Sequence, residues 1–399
     1  MVIEVLQGML LVLIGSHLLW TVFMHLCTWY YFADHGRSGP GRVYEPGVSI
    51  IKPTKGVDQS ALENFRSFCQ QEYGGKYELL FCVEEPSDPA VPVIRQIIAE
   101  YPDKRIRLIF SDPQETTSFG KLKNMIAGFA ASSYEIIIFS DSDAYVPPTF
   151  LRNTVACIHD PALGMAFGAP AYAGSDDWPA ALTSISVNEF TLRIATLHLF
   201  GLFEGAIGST MVMRRKVIER IGGLEQLGWQ IADDIQLARI IRKRGYRIHL
   251  LKQPAQIIHH HDTFTGWWSH GHRWLVIIRH YWPVHFLLMN LVDLALWWSL
   301  FYIGIALFQN SNVSIAIALV LSVLTTSVLS TAIINIAFAR NRKLWRFVWV
   351  VLIQELFRLP LVLYSCLTDE IVWRGGRFHV ESDGTTRIVE SRTAAHDSA

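Results

Sequence analysis

Carboxylates at short fixed spacing are the residues of this chain best suited to chemistry. Asp141-Ser142-Asp143 follows the apolar run at 135–139, and Asp233-Asp234 stands at a helix start within WQIADDIQLARIIRKRGY. In an extended turn the two carboxylates of Asp-x-Asp project to one side. One can reach a divalent ion while the other meets the ion's water or a ribose hydroxyl. A hard cation bridging two phosphates is the ligand such a donor set suits. Acidic pairs also serve as turn and helix-start caps, and one residue can do both. A third acidic group, Glu84, Glu85 and Asp88, follows the run at 77–83.

The elements that must position these groups are short and apolar. Runs at 48–51, 77–83 and 135–139 are each followed by a helix-compatible stretch, the pattern of a parallel sheet with crossover helices. In open α/β sheets ligands gather beyond the carboxyl ends of the strands, where two of the acidic groups lie. No GxGxxG and no GxxxxGK[ST] is present, so charge neutralisation by a metal must substitute for a phosphate-cradling loop.

Composition sets the wider frame. Of 399 residues, 51% are hydrophobic and 18% charged, which excludes a disordered chain and points to a membrane. Lys and Arg together number 35, as do Asp and Glu, so no global positive field exists to attract nucleic acid. Five scattered cysteines without a CxxC argue against a disulfide framework or a structural zinc site. Residues 5–32 carry no Asp, Glu, Lys or Arg, longer than the roughly 20 residues that cross a bilayer, and read as an uncleaved anchor. A second apolar zone, 283–339, holds one charge, Asp293, and breaks near Gln309-Asn310, so it reads as a helical hairpin, about 283–309 and 312–339. The third zone, 345–367, contains Glu355, Arg358 and Pro360 and either crosses, kinks or re-enters. Arg37, Arg42, Arg273, Arg279, Arg340, Arg342, Lys343 and Arg346 flank these zones and place the block 43–280 in the cytoplasm. Residues 368–399 form a tail.

The motifs together resemble the membrane-bound ceramide glucosyltransferases, inverting GT-A enzymes with a D, D, D, (Q/R)xxRW pattern. The likeness rests on PGVSIIKPTKGVD (46–58), LLFCVEEPSDPA (79–90), FSDSD (139–143), GSTMVMRR (208–215), IADD (231–234), HGHRW (270–274) and WRGGRF (373–378). It implies a GT-A catalytic domain, with a Rossmann-like mixed sheet, joined to α-helical transmembrane segments. It further implies nucleotide-sugar contacts from Asp88 and Asp141, metal binding by Asp143 and a general base at Asp234. Lys52, Lys55 and Lys121 could face the nucleotide, with Asn124 beside them. Arg273 and Trp274 would meet diphosphate or acceptor near the membrane surface, where a guanidinium fork suits phosphate oxygens; Trp274 can equally be an interfacial anchor. His270 stands where the pattern has Gln or Arg, which makes the charge there pH-dependent. His259, His260 and His261 follow a strand-like segment where some related enzymes place a metal ligand; a solvated or nucleotide-contacting cluster is the alternative. Asp233 and Glu85 are further candidates.

The activity so implied is transfer of a sugar, foremost glucose, from a UDP-sugar to the hydroxyl of a membrane lipid, foremost ceramide. A divalent cation (Mn²⁺ or Mg²⁺) assists, and single displacement gives a β-glycoside. Another acceptor such as a hopanoid is the main alternative. A processive polysaccharide synthase and a non-catalytic scaffold fit the motifs less well. The segment 190–203 (FTLRIATLHLFGLF) reads either as an interfacial helix guiding the lipid or as a buried core helix. The implied setting is a multi-pass protein of a bacterial inner membrane, or of Golgi or ER in a eukaryote.

Overall fold

The computed structural model describes residues 2–32, 44–112, 119–373 and 376–390. Arg37 and Arg42 of the orientation argument, and Arg374 and Gly375 of WRGGRF, lie outside the described residues. Two compact units are present: a sheet unit of residues 30–173 and 190–259, and a helical unit of residues 1–29, 174–189 and 260–399. Residues 174–189 and 260–280, assigned above to one contiguous catalytic block, therefore group with the helices.

Helix α1 (Val2–Phe32) opens the chain. The sheet unit then alternates: β1 (Val48–Pro53), α2 (Ala61–Cys69), β2 (Tyr77–Val83), α3 (Ala90–Glu100), β3 (Arg105–Phe110), α4 (Gly120–Ala131) and β4 (Ile136–Ser140). There follow β5 (Ala144–Tyr145), α5 (Phe150–Cys157), β6 (Leu163–Gly168), β7 (Pro170–Gly174) and α6 (Trp178–Leu199), the last divided between the units. Next come β8 (Thr210–Arg214), α7 (Arg215–Ile221), α8 (Asp233–Lys243), β9 (Arg247–Leu250) and β10 (Ala255–His259). A seven-stranded sheet has the order β3-β2-β1-β4-β8-β6-β9. β1 pairs in parallel with β2 and β4, as the three apolar runs predict, and β8 enters antiparallel between β4 and β6.

The central strands are covered on both faces: every residue of β1 and β4 is buried, Ser49 and Lys52 included. Phe65 of α2 packs on Phe81 of β2 with ring centroids 4.6 Å apart. Each such fully buried side chain contributes about 1.5–3 kcal/mol relative to exposure. On α4, a Cβ at Gly128 would lie 2.3 Å from Ile51 Cγ2 and 2.7 Å from Cys82 Sγ, so the helix approaches β1 and β2 as closely as only glycine permits. A smaller sheet, β5-β10-β7, pairs Ile257 with Ala144, directly after the Asp-Ser-Asp turn.

The helical unit continues with α9 (Phe264–Tyr281), α10 (Pro283–Asp293), α11 (Ala295–Phe308), α12 (Ser314–Ile334) and α13 (Val351–Leu367). Among the described residues three helical stretches, Val2–Phe32, Ser314–Ala339 and Arg342–Leu367, are long and apolar enough to cross a membrane. α10 and α11 together qualify as a fourth, broken span with a 52° bend. At that break the Trp298 indole donates to the Leu291 carbonyl at 2.6 Å, satisfying a backbone group that the bend disturbs. Asp293 is paired, as an acid among apolar helices should be: Arg358 reaches it at 3.5 Å and Glu189 and Glu355 at 3.3 Å each. The segment read as a tail instead contains an antiparallel sheet of β11 (Glu370–Trp373), β12 (Gly376–Val380) and β13 (Thr386–Glu390).

Candidate active site

The Asp-Ser-Asp turn hangs from the carboxyl end of β4 and is held from beneath. Lys52 Nζ donates to the Asp141 carbonyl at 2.7 Å, Ser142 Oγ to Asp58 at 2.9 Å, and Asn64 Nδ2 to the Asp143 carbonyl at 3.0 Å. Lys52 is wholly buried over the Phe68 ring, so it supports the turn from the interior and does not line an open nucleotide surface. Burial pulls its ammonium down to about 7, although Asp143, Asp141 and Asp58 all favour the charged form. Asp58 and Asn64 were given no role from sequence, because a Ser-to-Asp bond across 84 positions leaves no local signature.

The second acidic pair comes from α8, whose first two residues are Asp233 and Asp234. Asp234 Oδ2 accepts from Gly208 N–H at 2.9 Å and its Oδ1 from Ile235 N–H at 2.7 Å. One residue along, the Ser209 carbonyl accepts from Asp141 N–H at 2.9 Å. The loop entering β8 thus ties both acidic segments to a single dipeptide. Lys121, in the first turn of α4, completes the link with 3.0 Å to Asp141 and 3.2 Å to Asp233. Burial would pull the Lys121 ammonium down, but Asp141, Asp233 and Asp234 hold it well above its ordinary value. Burial, then the neighbouring Asp233 charge, pushes the Asp234 carboxyl up to about 7 against the pull of Lys121. A carboxylate poised near neutrality suits a general base.

The remaining candidates are spread more widely. Asp88 accepts from Gly56 N–H at 2.9 Å and from Ala90 N–H at 2.8 Å, fastening the loop after β1 to the start of α3. Glu85 is exposed and accepts from Ser87. Lys55 lies 3.9 Å from Glu84, and Asn124 donates to the Thr54 carbonyl at 3.3 Å. His259 ends β10, two residues beyond Ile257, so the register sets it level with the Asp-Ser-Asp turn. In the helical unit, His260 Nδ1 lies 2.8 Å from Asp176 and His261 Nδ1 3.0 Å from Asp177. His270, Arg273 and Trp274 also belong to that unit, on α9, with the His270 and Trp274 rings 5.2 Å apart. The stretch Thr191–Leu197 is buried, which leaves Leu199, Phe200 and Leu202 as the exposed apolar groups of segment 190–203.

Among the described residues no three His, Cys, Asp or Glu side chains are grouped to hold a metal. The hard oxygen donors at Asp141 and Asp143 nevertheless fit Mg²⁺ or Mn²⁺, which are commonly held by one or two carboxylates while substrate phosphates and water supply the rest.

A mixed sheet with crossover helices and an Asp-x-Asp turn at the end of its fourth strand is the GT-A glycosyltransferase fold. A mannosyltransferase from Pyrobaculum calidifontis, solved in complex with GDP-Man and Mn²⁺, shares it with a TM-score of 0.51 at 16% identity, over 88% of this chain and 99% of that one. The family model for glycosyl transferase family 21 matches residues 10–386, and the chain belongs to that family. Its relatives include ceramide glucosyltransferase 1 of Caenorhabditis elegans, 24% identical over 87% of this chain and 74% of that protein. Ceramide glucosyltransferase 3 of the same organism is 29% identical over 53% of this chain and 46% of its own. The Candida albicans ceramide glucosyltransferase is 36% identical over 29% of this chain and 23% of its own length.

Proposed function

We propose that this glycosyltransferase moves a sugar, foremost glucose, from a UDP-sugar to the hydroxyl of a ceramide-like membrane lipid, with inversion to a β-glycoside. The observation that carries the reading is the joining of Asp141 to Asp234 through Gly208 and Ser209, and to Asp233 through Lys121, at the carboxyl end of β4. That arrangement, with the Asp-Ser-Asp turn near a carboxylate of near-neutral pKa, supports donor binding beside a base. The names of the relatives support the lipid, and the Mn²⁺ complex of the mannosyltransferase supports divalent-cation dependence.

In this mechanism Asp88 and Asp141 orient the nucleotide sugar, and Asp234 removes the acceptor hydroxyl proton as the oxygen attacks the anomeric carbon. Asp143 would hold a divalent cation, which would supply neutralisation of charge on the diphosphate leaving group. Asp233 is occupied by Lys121 and acts on Asp234 through its charge. Arg273 donates to the diphosphate from the cytoplasmic surface of the membrane, with Trp274 beside it. Purified protein incubated with UDP-glucose and ceramide, followed by mass spectrometry of the lipids, should yield hexosylceramide, and Asp234→Asn should not. Product formed on a hopanoid alone would replace the acceptor and leave the mechanism standing.

A further inference from the structure

The sequence carries no clear signal for the terminal sheet, and the motif WRGGRF, which runs from the end of β11 into β12, has no part in the mechanism above. It is fastened along α9, the helix that carries HGHRW. Asp369, just before β11, pairs with Arg279 and lies 3.2 Å from His280. The Arg279 guanidinium also donates to the Cys366 carbonyl at 3.2 Å and the Thr368 carbonyl at 3.4 Å. Beyond β12, Gly384 (φ +83°) meets the Tyr281 ring so closely that a Cβ would lie 2.5 Å from it. At the other end of β11, Trp373 presents its ring to Arg273, with the guanidinium carbon 5.9 Å from the ring centroid.

The two spacings match. Arg273 and His280 are about two helical turns apart, roughly 10 Å, and four strand residues from Asp369 to Trp373 cover roughly 13 Å. Strand β11 therefore runs back along one face of α9, pinned by charge at Asp369 and ending with an indole against Arg273. Trp373 is itself buttressed by Phe378, 6.4 Å between ring centroids, on the partner strand.

We propose that Trp373 is a positioning residue: its ring holds the Arg273 guanidinium in the orientation in which it binds the donor diphosphate. A ring face attracts a guanidinium through its quadrupole and leaves the N–H edge available for bidentate contact with an anion. This rests on the assignment of Arg273 to the diphosphate, and the experiment separates the two claims.

Full-length protein in detergent is titrated with UDP, and KM is measured separately for UDP-glucose and for the lipid acceptor. Trp373→Leu should weaken UDP and raise the UDP-glucose KM roughly three- to thirtyfold, with the acceptor KM unchanged; Trp373→Phe, which keeps a ring, should recover most of the loss. In an Arg273→Ala background Trp373→Leu should cost nothing further. An equal loss in both backgrounds, or no loss in the single variant, overturns the proposal. Should UDP affinity survive Arg273→Ala, the diphosphate assignment fails and the positioning role falls with it. Where Trp373→Leu is not recovered as a monodisperse protein, Trp373→Met serves as the ringless variant of similar bulk.

Discussion

At the residue scale, the chemistry turns on how three charges share a confined space. Asp234 needs to be ionised to accept a proton, and its carboxyl is raised to about 7 by burial and by Asp233. Below that pH it is protonated and inactive, so kcat/KM should climb through an apparent pKa near 7 and level off above it. The Asp233 charge raises that value and Lys121 lowers it. Asp233→Asn should therefore shift the limb to lower pH, and Lys121→Met to higher pH, in a pH–rate profile. Loss of the proposed base, in Asp234→Asn, should cost about 10²- to 10⁴-fold in kcat while UDP binding in a titration stays near wild type. Chelation by EDTA should abolish transfer, and added Mn²⁺ or Mg²⁺ should restore it; activity that survives exhaustive chelation would remove the cation from the mechanism. Asp141 and Asp143 were legible in the sequence because they stand just beyond an apolar strand, and Asp233 and Asp234 because they open a helix. The interior place of Lys52 was not, since a lysine in a strand is ordinarily solvated and only the assembled sheet reveals its burial.

At the element scale, legibility followed burial. The runs 48–51, 77–83 and 135–139 correspond to β1, β2 and β4, whose sandwiched position favours mostly apolar sequence. β3 (RIRLIF) lies at the sheet edge with charged residues interleaved, and β6 (LGMAFG) is rich in small residues, so neither stands out as a strand. The terminal strands escaped for the same reason: GRFHV and TRIVE mix charge with apolar groups over only five residues each. Packing gives a test at this scale. Gly128→Ala would drive a methyl into Ile51 and Cys82 and should destabilise the sheet unit by about 1–3 kcal/mol, read as a fall in Tm. An unchanged Tm would show that α4 can retreat from β1 without penalty.

At the scale of the whole molecule, the helical unit carries a buried charge centre that apolar zones in the sequence only hinted at. Arg358 faces Glu189, Glu355 and Asp293, while Ser327 donates to Glu355 at 3.1 Å. Arg358→Met would leave three carboxylates without their shared cation and should destabilise the unit by about 3–5 kcal/mol, measurable as earlier detergent-induced unfolding. Stability equal to wild type would mean that these acids are accommodated without the guanidinium. Glu189 reaches this centre from a helix far away in sequence, which is why the composition of zone 345–367 alone did not disclose it.

The Gly208–Ser209 dipeptide has a bearing on how this enzyme can change. Its Gly208 amide holds the Asp234 carboxylate and its Ser209 carbonyl the Asp141 main-chain N–H, along one stretch of main chain. The spacing of the two acidic segments is thus set in part by main-chain groups, which side-chain substitution at 208 and 209 leaves in place. Catalytic spacing should survive extensive drift in the surrounding residues and yield only to an inserted or deleted residue in that loop. Attempts to fit a bulkier sugar by point mutation would alter the side chains around the two acids and leave this main-chain link where it is.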